Sequence, residues 1–478
     1  MNHSVTNPSS ILDMDALTIA EKIKKQELTS LQVVEKYIEH INNVNPTLNF
    51  LVEDRFQEAR REAKLADEMI QHGEAKGKLF GVPISIKEAF DVKGMKTTGG
   101  LIHNKNHIAK KDAEVVSALK KEGAIILGKT NTPVLCFCQE TDNRLYGRTN
   151  NPWDISRTAG GSSGGEGSLL AVGGAAVGLG SDIGGSIRFP SHFNGVIGFK
   201  SGNKQVSQAG SFPFVHQPFQ ERMLGIGGMG KSVADVELIN QIIAIQKPEK
   251  KDISSFRVVF PDQALHYPVS HSTKKALKNV RGFLKKEMEV TDEEPPYFKD
   301  SALLWQLIMS IDGAKEISNL AFNGRKHLLL LEYMKDRFFK SSDIHWYFSW
   351  AAFGAKLFKP NKKQVKRIDE TIQTGEPLVQ DFLSNQLLLL PVYHTAAPLH
   401  GQVYKQLFSI KKTFLTYIPF VAYANTWGLP ALTIPISEDE HGLPIAIQII
   451  SSVGNEDAIF HLGKILERSF RGYRRANI

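Results

Sequence analysis

Between Thr158 and Ser168 the chain reads TAGGSSGGEGS: two serines, Ser162 and Ser163, lie in a bed of glycines with Glu166 close behind. Hydroxyls on backbone this free admit three readings: a flexible linker, a phosphate cradle, or an active-site loop of unusual geometry. The cradle lacks its lysine. A linker is at odds with the adjoining segment SLLAVGGAAVGLG, which is apolar and small, the pattern of a closely packed helix. A second cluster, SDIGGSIRFP, then places Ser186 behind Gly184 and Gly185, with Asp182 and Arg188 flanking it. A serine is a weak nucleophile until a base takes its proton. His192 is close in sequence but has no acidic residue beside it to orient it, so a Ser-His-Asp arrangement finds no support. A lysine serves as base when burial or a nearby cation keeps it neutral. Lys87 closes the alternating apolar run VPISIK and is placed for that role. The attacked carbonyl becomes an oxyanion that needs preorganised N–H donors. Gly184 and Gly185, without Cβ atoms, let the backbone come close enough to supply them.

One motif points elsewhere. GIGGMGKS, Gly225 to Ser232, matches the nucleotide-binding P-loop pattern. That pattern needs a buried strand before it and a helix after it. The helix is present in SVADVELINQIIAI, with Ser232 and Asp235 in capping-box spacing, but HQPFQERML is too polar for the strand. The stretch reads as a glycine-rich loop feeding a capped helix.

The elements that position these residues alternate between strand and helix. A helix is predicted from Ser30, taken as its N-cap, through SLQVVEKYIEHINNVNP, with Leu31, Val34, Tyr37, Ile38 and Ile41 at helical spacing. LNFLVED is extended, Phe56 to about Gln71 is helical, and Val82, Ile84 and Ile86 alternate in a strand ending near Lys87. DAEVVSALKKEG is a helix and AIILGKTN a buried strand. QLLLLPVY, LPALTIPIS and LPIAIQIIS are strands, and NEDAIFHLGKILERSF is an amphipathic helix. Such alternation at both ends of the chain argues for α/β architecture. From about 250 to 410 the pattern is helical and aromatic, with Phe338, Phe339, Trp346, Tyr347, Phe348, Trp350, Phe353 and Phe358 in one stretch. These residues fit core packing, the wall of an apolar substrate tunnel, or a surface that meets a membrane.

Bulk composition narrows the class. The 478 residues are 42% hydrophobic and 23% charged, ordinary for a globular protein. The net charge of +8 is spread rather than clustered, with no zinc-finger spacing and no aromatic RNA-binding signature, so no nucleic-acid partner is expected. Two cysteines, Cys136 and Cys138, exclude a disulfide scaffold and fit a reducing compartment. The polar N-terminus carries no secretory pattern. No stretch approaches the roughly 20 apolar residues of a spanning helix. A cytoplasmic protein with at most peripheral membrane contact is expected.

From Gly160 to Lys200 the sequence resembles the long signature of the amidase-signature hydrolases. GKLFGVPISIKEAFDVKGMKTTGG is similar to that family's lysine-bearing segment, ETDNRLYGRTNNPWD to its loop before the serines, and FVAYANTWGLPALTIPI with GLPIAIQIIS to its C-terminal strand pair. The resemblance covers most of 75–245 and 415–470. It implies one amidase domain over residues 1–478, a large twisted mixed β-sheet with helices on both faces, and a variable region at about 250–410. It also implies a Ser-Ser-Lys triad: Ser186 as acylated nucleophile, Ser162 as bridging serine after a cis peptide from Gly161, and Lys87 as base. The N–H groups of Ile183, Gly184, Gly185 and Ser186 are then the oxyanion hole. Ser163 hydrogen-bonds the lysine, and Asp182 with Arg188 braces the loop. No metal or organic cofactor is implied. Two departures from the family pattern are expected to reshape the pocket mouth: KSGNKQ where Lys200 is usually followed by proline and threonine, and Val134–Leu135 in place of a Glu–Phe-like pair. GGEG, DIGGSIRFP and the aromatic middle look more like fatty-acid-amide-hydrolase-type members. The expected substrate is therefore a small-molecule amide with an aliphatic or aryl acyl group, cleaved by a monomer or homodimer. The alternative is the glutamine-hydrolysing subunit of a tRNA-dependent amidotransferase, where Phe189 stands at a position expected to be polar.

Overall fold

The computed structural model describes residues 10–261, 268–408 and 418–478. Its strands are β1 Leu51–Asp54, β2 Pro83–Lys87, β3 Ile125–Thr130, β4 Asn150–Asn151, β5 Asp154–Thr158, β6 Val177–Asp182, β7 Ile197–Lys200, β8 Gly225–Gly230, β9 Arg257–Val259, β10 Val290–Thr291, β11 Gln386–Pro391, β12 Ala431–Glu438 and β13 Pro444–Ile450. Eleven of them form one sheet in the order β1-β3-β2-β6-β8-β7-β12-β13-β11-β9-β10, and β4 and β5 pair separately. The sheet is mixed. β2 runs parallel to β3 and β6, whereas β8 is antiparallel to β6 and β7, and β13 to β12 and β11.

Successive side chains of a strand face opposite sides, and the core divides accordingly. In β11, Leu388 and Leu390 enter a cluster with Phe189, Phe193 and Trp305, while Leu387 and Leu389 enter one with Leu277, Val280, Ile459 and Leu462. The first cluster is roofed by the helices Arg188–Asn194, Asp300–Met309 and Pro419–Thr426, the second by His271–Glu287 and Glu456–Ser469. The sheet thus carries helices on both faces, the α/β arrangement expected from the sequence.

Most expected elements stand where the residue pattern puts them, with specific differences. The helix Ser30–Leu48 is capped by Thr29, not Ser30, because Thr29 and Gln32 exchange a reciprocal capping box; the Ser30 hydroxyl donates to the Gly81 carbonyl at 2.7 Å. The small-residue stretch after Ser163 is helical only over Gly164–Ala171, and its second half is strand β6. The region at about 250–410 is helical apart from three strands: β11 is the strand expected of QLLLLPVY, and β9 and β10 extend the sheet beyond it. Its aromatics divide: Tyr347 and Phe348 are core, Trp350, Phe353 and Phe358 line a cavity, and Phe338 and Phe339 are exposed.

The P-loop look-alike is also no loop. Gly225–Gly230 is the buried strand β8, whose glycines allow close contact: a Cβ on Gly227 would strike the Phe199 carbonyl, and one on Gly228 would press on Ile239. Ser232 caps the following helix by accepting from the Asp235 N–H, but the Asp235 carboxylate does not return the bond. It accepts instead from Ala16 N at 2.8 Å and Leu17 N at 3.1 Å, capping a different helix, Ala16–Lys24. Lys231, the would-be phosphate lysine, is buried and donates to the Leu12 and Met14 carbonyls at 2.8 and 3.0 Å. The motif therefore clamps the N-terminal segment to the sheet. Lys231→Met strips two carbonyls of their donor and is expected to lose about 1–3 kcal/mol in urea denaturation. ATP is expected to leave the unfolding midpoint of the native protein unchanged.

Candidate active site

Lys87 ends β2, whose five residues are all buried between the parallel strands β3 and β6. Its amine emerges at the strand's C-terminal end, 2.7 Å from Ser162 Oγ and 3.0 Å from Ser181 Oγ. Burial pushes the Lys87 pKa below the ordinary lysine value, against smaller upward pulls from the adjacent Cys136 thiol, Asp182 and Glu166. Ser162 is buried and follows a cis peptide from Gly161. Gly161 is required there, because a Cβ would lie 2.7 Å from Glu140 N. A hydroxyl touching a buried amine of lowered pKa can pass a proton in either direction.

Ser186 sits in the turn after β6, nearly buried at 5% exposure. Asp182 organises this turn. Its carboxylate accepts from Gly185 N at 2.8 Å and Ile187 N at 3.1 Å, and from Asn425 Nδ2 at 2.9 Å. Arg188 grips it with Nε at 3.0 Å and Nη2 at 3.1 Å, both side chains being fully buried. Burial alone would raise the carboxyl's pKa, but the charge and hydrogen bonds of Arg188 outweigh it and hold Asp182 well below the usual carboxylate range. The other end of the guanidinium reaches the Val421 carbonyl at 3.0 Å and Gln448 Oε1 at 2.9 Å, tying the turn to the C-terminal part of the chain.

Two assignments need correction. Gly185 takes a left-handed φ of +94°, which favours glycine, but its N–H is engaged by Asp182 and does not serve as a free oxyanion donor. The N–H groups of Ile183, Gly184 and Ser186 have no acceptor among the described residues. Ser163 does not bond the lysine; its hydroxyl donates to the Ser181 carbonyl at 3.4 Å, its N–H donates to the Ser186 carbonyl at 3.1 Å, and Ser181 supplies the second hydroxyl against Lys87. Ser163 thus joins the two serine loops through the backbone of each.

Sequence reasoning passes over Ser181, Cys136 and Asn425, and gives Glu166 no role. Glu166 is buried beneath Lys87, accepts from Ser85 and from Thr130 Oγ1, and is pushed up to about 7 chiefly by burial. The signal available for it is its place one turn into a helix whose other residues are small or apolar. His192 is a core residue: it meets the Thr395 carbonyl and accepts from Ala446 N, and burial lowers it to about 4. Both cysteines are free. Among the described residues no group of three or more His, Cys, Asp or Glu is placed to hold a metal ion, and no helix is long and apolar enough to cross a membrane.

Two cavities meet at Ser186. One includes Ser162 and Ser181 and runs out past Phe212, His216 and Glu316. The other, about 1550 Å³ counting its solvent-open mouth, runs between the helices Asp300–Met309 and Trp346–Leu357, past Trp305, Leu307, Trp350, Phe353 and Phe358. Among the described residues, no side chain lining the second cavity is charged. Of the two departures from the family pattern, Leu135 lines the first cavity, whereas SGNKQ lines neither.

A wide mixed sheet that presents a buried lysine to two serine-bearing glycine turns defines a serine hydrolase. The chain belongs to the amidase family, whose sequence profile, Amidase, matches residues 32–460. It is 33% identical over 497 residues to fatty-acid amide hydrolase 2-B of Danio rerio, covering 98% of this chain and 91% of that one. It is 30% identical over 492 residues to a glutamyl-tRNA(Gln) amidotransferase subunit of Caldanaerobacter subterraneus subsp. tengcongensis, covering 96% and 98%. Its fold is that of 6-aminohexanoate cyclic dimer hydrolase solved with its substrate, with a TM-score of 0.81, 24% identity and coverage of 98% and 99%. The protein is an amide-hydrolysing enzyme.

The buried Asp182–Arg188 pair yields a stability test. Arg188→Met leaves the carboxylate buried without its cation and is expected to cost about 3–5 kcal/mol in urea denaturation.

Proposed function

We propose that this enzyme hydrolyses small-molecule amides with an apolar aliphatic or aryl acyl group through an acyl-enzyme on Ser186, in the cytoplasm, where its two cysteines stay reduced. Ser162 takes the proton of the Ser186 hydroxyl as it passes its own to neutral Lys87, and Ser186 Oγ attacks the amide carbonyl. The N–H groups of Ile183, Gly184 and Ser186 receive the oxyanion. As the C–N bond breaks, Ser162 returns a proton to the departing nitrogen, and Lys87 reprotonates Ser162. Water, deprotonated along the same path, then releases the acid.

The observation that supports this best is the meeting of the two cavities at Ser186 with Ser162 on one side only. The departing nitrogen must take its proton from Ser162, so the amine belongs in the cavity that Ser162 lines. The acyl group then falls in the other, the uncharged, aromatic-walled one. That lining also weighs against the glutamine-hydrolysing alternative, since an amino acid's ammonium and carboxylate need charged or strongly polar partners when desolvated. Phe189 adds to this: it is buried against Phe193 and Tyr393 and offers no polar group.

Ammonia release by the purified chain tests the reading with acetamide, benzamide, amides of increasing chain length and glutamine. Ser186→Ala and Lys87→Ala are each expected to lower kcat by at least ~10³-fold; activity retained by Ser186→Ala removes the proposal. kcat/KM is expected to climb with acyl length until the aromatic cavity is filled, and activity on glutamine alone would favour the amidotransferase reading. The base form of Lys87 is its neutral form. Because its pKa is lowered, kcat/KM is expected to be flat above that depressed value and to fall about tenfold per pH unit below it. A rate that stays level into mildly acidic pH excludes Lys87 as the base.

A further inference from the structure

Three consecutive peptide groups span Ile183 to Ser186, and each is anchored by a hydrogen bond of 2.8 Å or less. The Gly185 carbonyl accepts from Phe189 N at 2.7 Å. The Gly185 N–H donates to Asp182 Oδ1 at 2.8 Å. The Ile183 carbonyl accepts from the indole Nε1 of Trp305 at 2.8 Å. The first two anchors belong to the turn itself and the helix that continues it. The third comes from 122 residues further on, in the helix Asp300–Met309 of the variable region.

A trans peptide is planar, with its C=O and N–H on opposite edges. A donor that holds the Ile183 oxygen therefore sets the direction of the Gly184 N–H. Gly184 records the same contact independently: a Cβ there would lie 2.5 Å from Trp305 Cζ2, so the indole occupies the space a side chain would take. The helix that carries Trp305 is in turn fixed beside Asp182. Thr426 Oγ1 donates to the Ser301 carbonyl and Trp427 Nε1 to Ser301 Oγ, both at 3.0 Å, while the adjacent Asn425 holds the Asp182 carboxylate.

We propose that Trp305 is a positioning residue for the reaction: by holding the Ile183 carbonyl, its indole N–H presets the Gly184 N–H to receive the oxyanion. Trp305 also lines the uncharged cavity, so one residue joins the acyl-binding wall to transition-state stabilisation. The inference rests on Ser186 as the nucleophile.

The test compares wild type with Trp305→Phe, which keeps a ring against Gly184 but has no N–H. Loss of one oxyanion donor lowers kcat about 10²–10³-fold in enzymes, and misorientation of one is expected to give a smaller loss, about tenfold. KM is expected to stay within about twofold. The inhibition constant of a trifluoromethyl ketone with the substrate's acyl chain, which adds to Ser186 as an oxyanion, is expected to rise in proportion to the loss in kcat/KM. That of the matching carboxylic acid is expected to stay unchanged. An unaltered kcat, or a raised KM with kcat intact, reduces Trp305 to a cavity wall and overturns the inference. If Trp305→Phe lacks a cooperative thermal transition, 3-benzothienylalanine at position 305 preserves the indole's shape without its N–H and gives the same readout. Ser186→Ala in parallel separates the two ideas. Residual activity there removes the nucleophile assignment itself, whereas an inactive Ser186→Ala beside an unimpaired Trp305→Phe removes only the positioning role.

Discussion

The Asp182 carboxylate is the point on which the candidate site is hung. It is fully buried, and the cost of burying a charge is met only by multiple well-placed donors. Those donors are the structure of the site: two N–H groups of the Ser186 turn, the fork of Arg188 and the amide of Asn425. Arg188 then carries the constraint to Val421 and Gln448, so segments far apart in sequence are held to one anion. The same carboxylate explains why Gly185 is not available to an oxyanion.

Lys87 is the counterpart of that constraint. One buried ionisable group is held in its charged form by its partners, and the other is pushed toward its neutral form by burial, against weaker upward pulls from its neighbours. Glu166, one of the carboxyls that pull on the lysine, is itself shifted up to about 7 chiefly by burial, which limits how far it stabilises an ammonium. The variable region completes the site from outside. Its helices wall the uncharged cavity while Tyr347 and Phe348 root them in a core cluster shared with Val134 and Leu135, next to the serine loops.

Much of this is legible in the residues. Lys87 at the end of an apolar strand, Ser186 behind paired glycines and the opposite charges of Asp182 and Arg188 are local patterns whose chemistry comes from residue type and spacing. Several of the expectations that fail concern where a polar group finds its partner, and another concerns close packing. Asp235 is expected to serve its own helix and caps another. Ser163 is expected on the lysine and bonds backbone, while Ser181 takes its place. Gly225–Gly230 reads as a loop because glycine has weak strand preference, yet close approach of β7 and the Val233–Ile243 helix makes it a central strand.

The sequence by itself determined the α/β alternation, the family resemblance and the residue types that reach the site, because hydrophobic period and glycine–serine spacing are short-range properties written along the chain. Only the tertiary structure decided which N–H groups are free, which hydroxyls meet Lys87, and that Trp305, in a segment with no recognisable motif, sits on Gly184. The last two depend on contacts between residues far apart along the chain, and the first on which nearby N–H groups the buried carboxylate takes. No local pattern encodes them, because burial makes a polar group take whichever partner the packed chain brings within reach.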